Sequence, residues 1–406
     1  MSLLQLNLAA RDLFRNRART LISLSAIAFA VVALLLAGGF IEWIFWAIRE
    51  SSIQTGLGHV QVSRVGFRES GFADPHRYLL PDGGTARAVL MGAPNVEVVG
   101  ERLALSGLIS SGETTLAFTG DAVDPAAERI LSKDLRVDGD YLDDLDPRGV
   151  LLGRGLAKAL GTVRADTVTL LVNLPGGGVN AVEGRLRGTF STQIKAYDDS
   201  AVRMPLTLAR ELLRVKGSHL WVVGLDATER TGETIAYLRA RLPAERFELK
   251  SWFDLSDFYQ KSVALLSRQL ALITFLMGVI IVLGISNSMT MSVLERTGEI
   301  GTMLAMGTRA ESVLRQFVLQ GLLLGLIGGF VGLTIGFALA QLISHVGIPM
   351  PPPPGRDSGY SAGILVTPRL ILWGAILAVV PATVASLYPA WKASRLPIVD
   401  ALRHNR

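Results

Sequence analysis

The sequence predicts an α-helical membrane protein with four transmembrane helices and a large α+β extracytoplasmic domain inserted between helices 1 and 2. Three observations carry that prediction. Half of the 406 residues are apolar and only 18% are charged, with a mean hydropathy of +0.39; soluble domains carry roughly 25% charged residues. Four windows are free of Asp, Glu, Lys and Arg: 20–41, 269–294, 316–345 and 370–391. Each can cross a bilayer core, which takes about 20 residues. Finally, charge is unevenly placed: residues 47–262 hold 26 Lys/Arg and 28 Asp/Glu, and the rest of the chain 14 and 7.

Eleven of those 14 basic residues precede the first window, separate the second from the third, or follow the fourth. The positive-inside rule makes these three segments cytoplasmic and sets residues 47–262 outside. A cell inner-membrane protein with both termini cytoplasmic and its main domain periplasmic is expected. The basic isoelectric point of about 9.6 then reports topology and gives no reason to expect nucleic acid as a partner. Without cysteine the outer domain has no disulfides and the chain has no lipidated Cys. Residues 47–262 are enough to bury a core without them.

In chain order, residues 1–19 read as a cytoplasmic amphipathic helix, with Leu3, Leu6, Leu13 and Phe14 on one side and Arg11, Arg15, Arg17 and Arg19 reaching lipid phosphates. Ordinary positive-inside flanking charge explains the same arginines. Residues 20–46 form transmembrane helix 1. The run is too long for a signal-peptide core, no A-x-A-like site closes it, and Glu42, Trp43 and Trp46 form an interfacial anchor.

The domain over 47–262 mixes periods. Residues 59–65, 95–106, 114–119, 166–173, 181–190 and 219–225 read as strands, and 229–242 as an amphipathic helix. GVLLGRGLAKAL (149–160) reads as strand, glycine turn, helix, and LPGGGVN (174–180) as a flexible turn. A smaller subdomain is expected over 206–250. Helix 2 follows at 263–294, a cytoplasmic helix at 295–311, helix 3 at 312–345, an outer loop at 346–368, helix 4 at 369–391 and a cytoplasmic tail at 392–406. Pro351–Pro354 in the outer loop favour a stiff polyproline spacer. Helix 4 carries Pro381 and Pro389, which membrane helices tolerate. In helix 3, Gly321, Gly325, Gly328, Gly329, Gly332 and Gly336 recur every three to four residues. Such a face suits close helix packing, either within the chain or in a dimer.

Catalytic chemistry is hard to find. His59, His76, His219, His345 and His404 are dispersed without metal-ligand spacing. The acidic run DGDYLDDLD (138–146) lacks the full calcium-loop pattern and reads as a solvated loop. Gly153-x-Gly155 lacks the third glycine of a dinucleotide fingerprint. There is no G-x-S-x-G elbow and no G-x-x-x-x-G-K-[ST], nor any Gly-Lys pair, so these residues hold no ATP by a P-loop. The chain is not expected to be an enzyme and needs no cofactor of its own.

The most informative stretch is NSMTMSVLERTGEIGTMLAMG (287–307), in which a long apolar segment gives way to a short, charged amphipathic helix. It resembles the signature of FtsX-like permeases in the MacB/Lol group of ABC transporters, the type VII mechanotransmission class. The resemblance continues through 316–336 and the tail YPAWKASRLPIVDALR (388–403). In the outer domain, GDYLDDLDPRGVLLGRGLAKALG (139–161) and VEGRLRGTF (182–190) resemble the MacB-type periplasmic core. It implies two permease chains, identical or different, with two copies of an ABC ATPase that binds ATP and magnesium. The 287–307 segment would be the coupling helix, with Ile300, Met303, Leu304 and Met306 in a groove of the ATPase and Glu295, Arg296 and Glu299 at its rim. Thr297, Gly301 and Gly307 complete the matched set. MacB fuses its ATPase to the N-terminus; this chain begins almost at helix 1, so a separate ATPase is expected, as in the lipoprotein-releasing Lol permeases. Lipoprotein or other amphipathic cargo on the outer face is the leading expectation, with membrane lipid and a periplasmic lipoprotein carrier as partners. Export of a small molecule or peptide with an outer-membrane partner is the alternative. An FtsX-like scaffold that activates a cell-wall hydrolase is a second, and a free-standing membrane enzyme a third.

Overall fold

The computed structural model describes residues 17–71, 75–81, 83–174, 177–192, 195–351, 359–395 and 397. The first 16 residues of the expected N-terminal helix, Pro352–Pro354 and the tail beyond 397 lie outside the described residues. The chain divides into two compact units, one of residues 1–46, 262–350 and 361–406, the other of 47–261 and 351–360. Along the chain the main elements are α1 (Arg17–Ser52), β1 (Val60–Arg64), α2 (Thr85–Met91), β2 (Val96–Ser111), β3 (Thr114–Val123), α3 (Pro125–Leu131), β4 (Arg136–Gly139), β5 (Gly149–Gly153) and α4 (Arg154–Leu160). They continue with β6 (Thr167–Asn173), β7 (Val179–Ser191), β8 (Ala201–Pro205), α5 (Leu206–Leu213), β9 (Leu220–Leu225), α6 (Thr231–Arg239) and β10 (Phe247–Ser251). The last helices are α7 (Asp257–Glu295), α8 (Thr297–Ala305), α9 (Ala310–Val346) and α10 (Pro368–Ser394).

The membrane unit rests on α1, α7, α9 and α10, each long and apolar enough to cross a membrane. Lipid supplies no hydrophobic force between helices, so backbone proximity has to hold them together. The six glycines of α9 provide it in two rows. Gly321, Gly325 and Gly329 face α10, where a Cβ on Gly325 would lie 2.9 Å from the Ala378 carbonyl oxygen and one on Gly321 2.6 Å from Ser386 Cβ. Gly328, Gly332 and Gly336 face α1, with Ile27 Cβ, Val31 Cβ and Leu35 Cδ1 at 2.9, 2.8 and 2.7 Å from the corresponding Cβ positions. All six are buried, and both rows are occupied within this one chain. By contrast, the apolar window of α7 is only 11% buried, against 33–39% for the other three.

The outer unit is built on one ten-stranded mixed sheet, in the order β10-β1-β9-β2-β3-β8-β5-β7-β4, with β6 pairing β2 and β7. β3 pairs β8 and β5 pairs β7 in parallel; the other pairs are antiparallel. β7 alternates buried Val182, Leu186 and Phe190 with exposed residues, the period of a strand with one face to the core. β5 is buried at every position, as a central strand covered on both faces must be. α3 starts where Asp124 accepts from the amides of Ala126 and Ala127 at 3.1 and 3.3 Å, with Pro125 in the first turn.

Two main apolar cores result, beside smaller clusters around Leu142 and Phe190 and around Leu131. The larger includes Leu103, Phe118, Leu152, Leu170, Met204 and Leu212; the second includes Val60, Leu90, Val99, Trp221 and Leu238. The division differs from the expected subdomain over 206–250. α5 joins the larger core through Leu206, Leu208 and Leu212, whereas β9 and β10 share the second core with residues 60–99. β1 decides this by pairing with β10 and β9 across almost the whole unit, a long-range contact that no local pattern announces. Sequence patterning also misses β4, β8 and β10. β8 is only five residues long and carries an arginine in its middle, which disguises a strand buried at every position.

Candidate functional site

The junction of α7, α8 and α9 is built almost residue by residue from the sequence. α7 ends at Glu295, and one non-helical residue, Arg296, separates it from α8. The Thr297 hydroxyl caps the outgoing helix by donating to the carbonyls of Val293 and Leu294 at 3.1 and 2.9 Å. The nine-residue α8 closes in a Schellman motif: Thr308 N–H donates to Met303 O at 3.1 Å and Gly307 N–H to Leu304 O at 3.1 Å. Gly307 has φ +91° with open space around it, a backbone state that a side chain resists. Arg309 then stands as the N-cap of α9.

Charges pin this turn on two sides. Arg19 of α1 makes a two-pronged pair with Glu295, at 2.9 and 2.6 Å. Arg296 Nε donates to Glu299 at 3.0 Å, one turn along. Both carboxylates are about half exposed (50% and 44%) and stand at the surface. The fork geometry of the arginines adds direction at such sites, although exposed pairs contribute little to stability.

The apolar residues of α8 do not all face outward. Ile300 is 4% exposed and belongs to the unit's own core with Met289, Val293, Val313 and Phe317, while Leu304 packs against that core. The expected groove-filling set of Ile300, Met303, Leu304 and Met306 is therefore split. Burial of Ile300, worth about 1.5–3 kcal/mol, docks α8 onto its own bundle, and Gly301 is buried beside it. Met303 is half-buried, and Met306, at 75% exposure, is the apolar residue the turn presents outward. What this turn exposes is thus Met306, Glu295 and Glu299, with exposed Leu294 close by in sequence. Sequence patterning missed Arg19 as the partner of Glu295, since 276 positions separate them.

The other sequence candidates resolve into structure. A Cβ on Gly153 would fall 2.1 Å from the Asp198 carbonyl oxygen, and one on Gly155 1.9 Å from Asp199 Oδ1. Gly153 thus admits the Asp198 backbone and Gly155 the Asp199 side chain, so both glycines serve close packing. The acidic run is less a solvated loop than its composition suggests: Asp138 and Gly139 end β4, and Asp146 accepts from Arg185 and Arg187 at 2.7 and 2.9 Å. The hydrogen bond from Arg185 is the main cause holding the Asp146 carboxyl below its usual range. Among the described residues no three histidines or acids come together as a metal site. His59 is buried; its Nδ1 accepts from Leu225 N–H at 3.0 Å and its Nε2 lies 3.2 Å from Thr228 Oγ1. Burial lowers its pKa.

Comparison with known proteins matches both units. The FtsX-like permease C-terminal family model matches residues 271–398, and the MacB-like periplasmic core domain model matches 20–241. The macrolide export ATP-binding/permease protein MacB of Hyphomonas neptunium is 31% identical over 64% of this chain and 39% of its own length. That of Rhodospirillum rubrum is 29% identical over 86% of this chain and 54% of its own. The chain therefore spans about half or less of these relatives. The crystal structure of the periplasmic region of MacB from Actinobacillus actinomycetemcomitans covers 52% of this chain and 94% of its own, at 12% identity and a TM-score of 0.35.

Proposed function

Because this chain belongs to the family of FtsX-like permeases with a MacB-like periplasmic core domain, we propose that it is the membrane-spanning subunit of an ABC transporter working by mechanotransmission. ATP and magnesium are handled by a separate ATPase, two copies of which engage two permease chains. These 406 residues contain no G-x-x-x-x-G-K-[ST], which supports placing the nucleotide site outside them. The termini lie in the cytoplasm and the outer unit in the periplasm, as the distribution of Lys and Arg favours. The uncovered apolar side of α7 is surface for lipid and for the second permease chain.

The observation that carries this reading is α8. A short helix, anchored by buried Ile300 and closed by Gly307, holds Met306, Glu295 and Glu299 outward between two apolar helices. That face suits a soluble partner that moves on nucleotide binding, and the anchoring passes the movement to α7 and α9. Cargo is lipoprotein or another amphipathic molecule taken up on the outer face. A second reading, export of a small molecule through an outer-membrane partner, draws on the macrolide export named for the relatives.

Affinity purification in mild detergent, with a non-hydrolysable ATP analogue and mass spectrometry of what accompanies the chain, tests the proposal. An ATPase with lipoproteins supports the first reading, and an ATPase with an outer-membrane protein the second. No ATPase at all would sink both. Glu299→Lys reverses charge at the outer face and breaks the bond from Arg296. It is expected to uncouple ATP hydrolysis from transport while the chain still inserts in the membrane.

A further inference from the structure

A π-helical turn, Ile53–Leu57, directly follows α1 and is closed by Gly58 N–H donating to Ile53 O at 2.9 Å. Helix ends leave their last carbonyls without intrahelical partners. In this turn three consecutive carbonyls are taken by side chains from three strands. Thr55 O accepts from Arg203 Nη2 of β8 at 3.1 Å, Gly56 O accepts from Arg102 Nη1 of β2, and Leu57 O accepts from Gln61 Nε2 of β1 at 2.8 Å.

Both guanidinium groups are locked from behind by a single carboxylate. Glu128 of α3 accepts from Arg102 Nε at 3.1 Å, from Arg102 Nη2 at 2.9 Å and from Arg203 Nη1 at 2.9 Å, and Ser132 Oγ donates to it as well. Arg102, Arg203 and Glu128 are 6%, 3% and 1% exposed. Burial opposes ionisation of Glu128, but Arg102 and Arg203 more than offset it and hold its pKa below the ordinary carboxylate range.

Among the groups in direct contact, two cations against one anion leave a surplus positive charge, and Asp121 attracts Arg203 without a hydrogen bond to it. What faces that surplus is the carbonyl end of a long helix, which carries partial negative charge. Moving the turn away would strip the surplus charge of its partner in a place where water cannot replace it, and unpaired buried charge is costly. The turn and the three elements that hold it are therefore favoured to move as one piece.

We infer that Arg102, Arg203 and Glu128 are positioning residues that fasten the π-helical turn after α1 to β2, β8 and α3, so that displacement of the turn is delivered to the sheet. The delivery of motion rests on the coupling function proposed above; the fastening does not.

Hydrogen–deuterium exchange of the full-length chain in lipid nanodiscs separates the two. Arg203→Lys keeps the charge, but one ammonium cannot hold Glu128 and the Thr55 carbonyl together as a guanidinium fork does. Exchange across residues 53–58 is expected to rise about tenfold or more, with β3 and β7 unchanged. Unaltered exchange at 53–58, or a rise spread equally over β3 and β7, would overturn the fastening. Should that variant fail to fold, Gln61→Ala removes the bond to the Leu57 carbonyl and the one Gln61 accepts from Arg68, leaves Arg102, Arg203 and Glu128 in place, and is expected to loosen the same six residues. In the complex with its ATPase, ATP plus orthovanadate is expected to shift exchange in β2 and β8 of the wild type and to leave Arg203→Lys unmoved. A shift that survives the substitution overturns the delivery of motion. No nucleotide response in the wild type overturns the coupling function and the delivery with it, leaving the fastening to stand on the first measurement.

Discussion

The two units bury different chemistry. The outer unit sinks a charged cluster, His59, His219 and two main apolar cores into its interior. The membrane unit buries Ser23, Gln320 and Ser386 as its polar groups among the described residues, and holds itself together with glycines against α1 and α10. Solvent explains the contrast. In water, apolar burial yields a large surplus that can tolerate a few desolvated charges when they are paired. In lipid that surplus is missing between helices, so contact depends on how closely backbones approach.

The contrast predicts different breaking points. The largest effect belongs to the outer unit: Glu128→Gln leaves two buried guanidinium groups without their anion. It is expected to cost about 3–5 kcal/mol, read as a fall in the unfolding midpoint of the outer unit. In the membrane unit, Gly325→Leu must push Ala378 and Val379 away from α9, at about 1–3 kcal/mol or more. The expected result is a loss of monodisperse protein on size exclusion in detergent. If Gly325→Leu were silent and Glu128→Gln severe, the glycine rows would not be what holds the four helices.

Acid sharpens the comparison, because among the described residues the membrane unit buries no histidine as the outer unit buries His59. The pKa of His59 is lowered by burial, so below the unfolded value of about 6.5 the unfolded chain binds the extra proton first. Stability conferred by neutral His59 is then fully present above that pH and is lost as pH falls toward the folded pKa, at no more than about 1.4 kcal/mol per pH unit. Protonation of Nδ1 would also break the bond from Leu225 N–H. Thermal melts from pH 7.5 down to 5 are expected to show this slope, and His59→Gln to flatten it. An unchanged slope in the variant would assign it to another group.

Smallest is Gly284→Leu. Gly284 lies in α7 with nothing within 4 Å of a Cβ, and the substitution is expected to shift stability by less than about 0.5 kcal/mol. A severe effect would mean that a partner chain covers α7 there.

Much of the molecule was legible from local pattern. The four spans follow from charge-free length. Glycine turns, capping residues and alternation locate β5, α4, β6 and β7 within a residue or two, and the turn of α8 follows from Gly307. What was not legible depends on partners far along the chain. The assignment of Gly328, Gly332 and Gly336 to α1 and of Gly321, Gly325 and Gly329 to α10 could not be read from a spacing that suits packing within a chain or between two. Ile300 looked like a surface anchor for another protein because amphipathicity marks an apolar face without naming its occupant. Arg102 and Arg203 sit in apolar strands, and Glu128, brought in by α3, makes their burial tolerable together with the Thr55 and Gly56 carbonyls.

The sequence by itself determined the class of protein, the number of membrane helices, the sidedness to expect and the short amphipathic helix between α7 and α9. Those properties are set by solvent transfer and by hydrogen bonds between near neighbours, which act over a few residues at a time. Tertiary structure decided which apolar faces are already occupied, how β1 and β10 close the sheet, and where the buried charges find compensation. These are set by contacts between residues tens to hundreds of positions apart, and a linear pattern specifies a face long before it specifies what that face will meet.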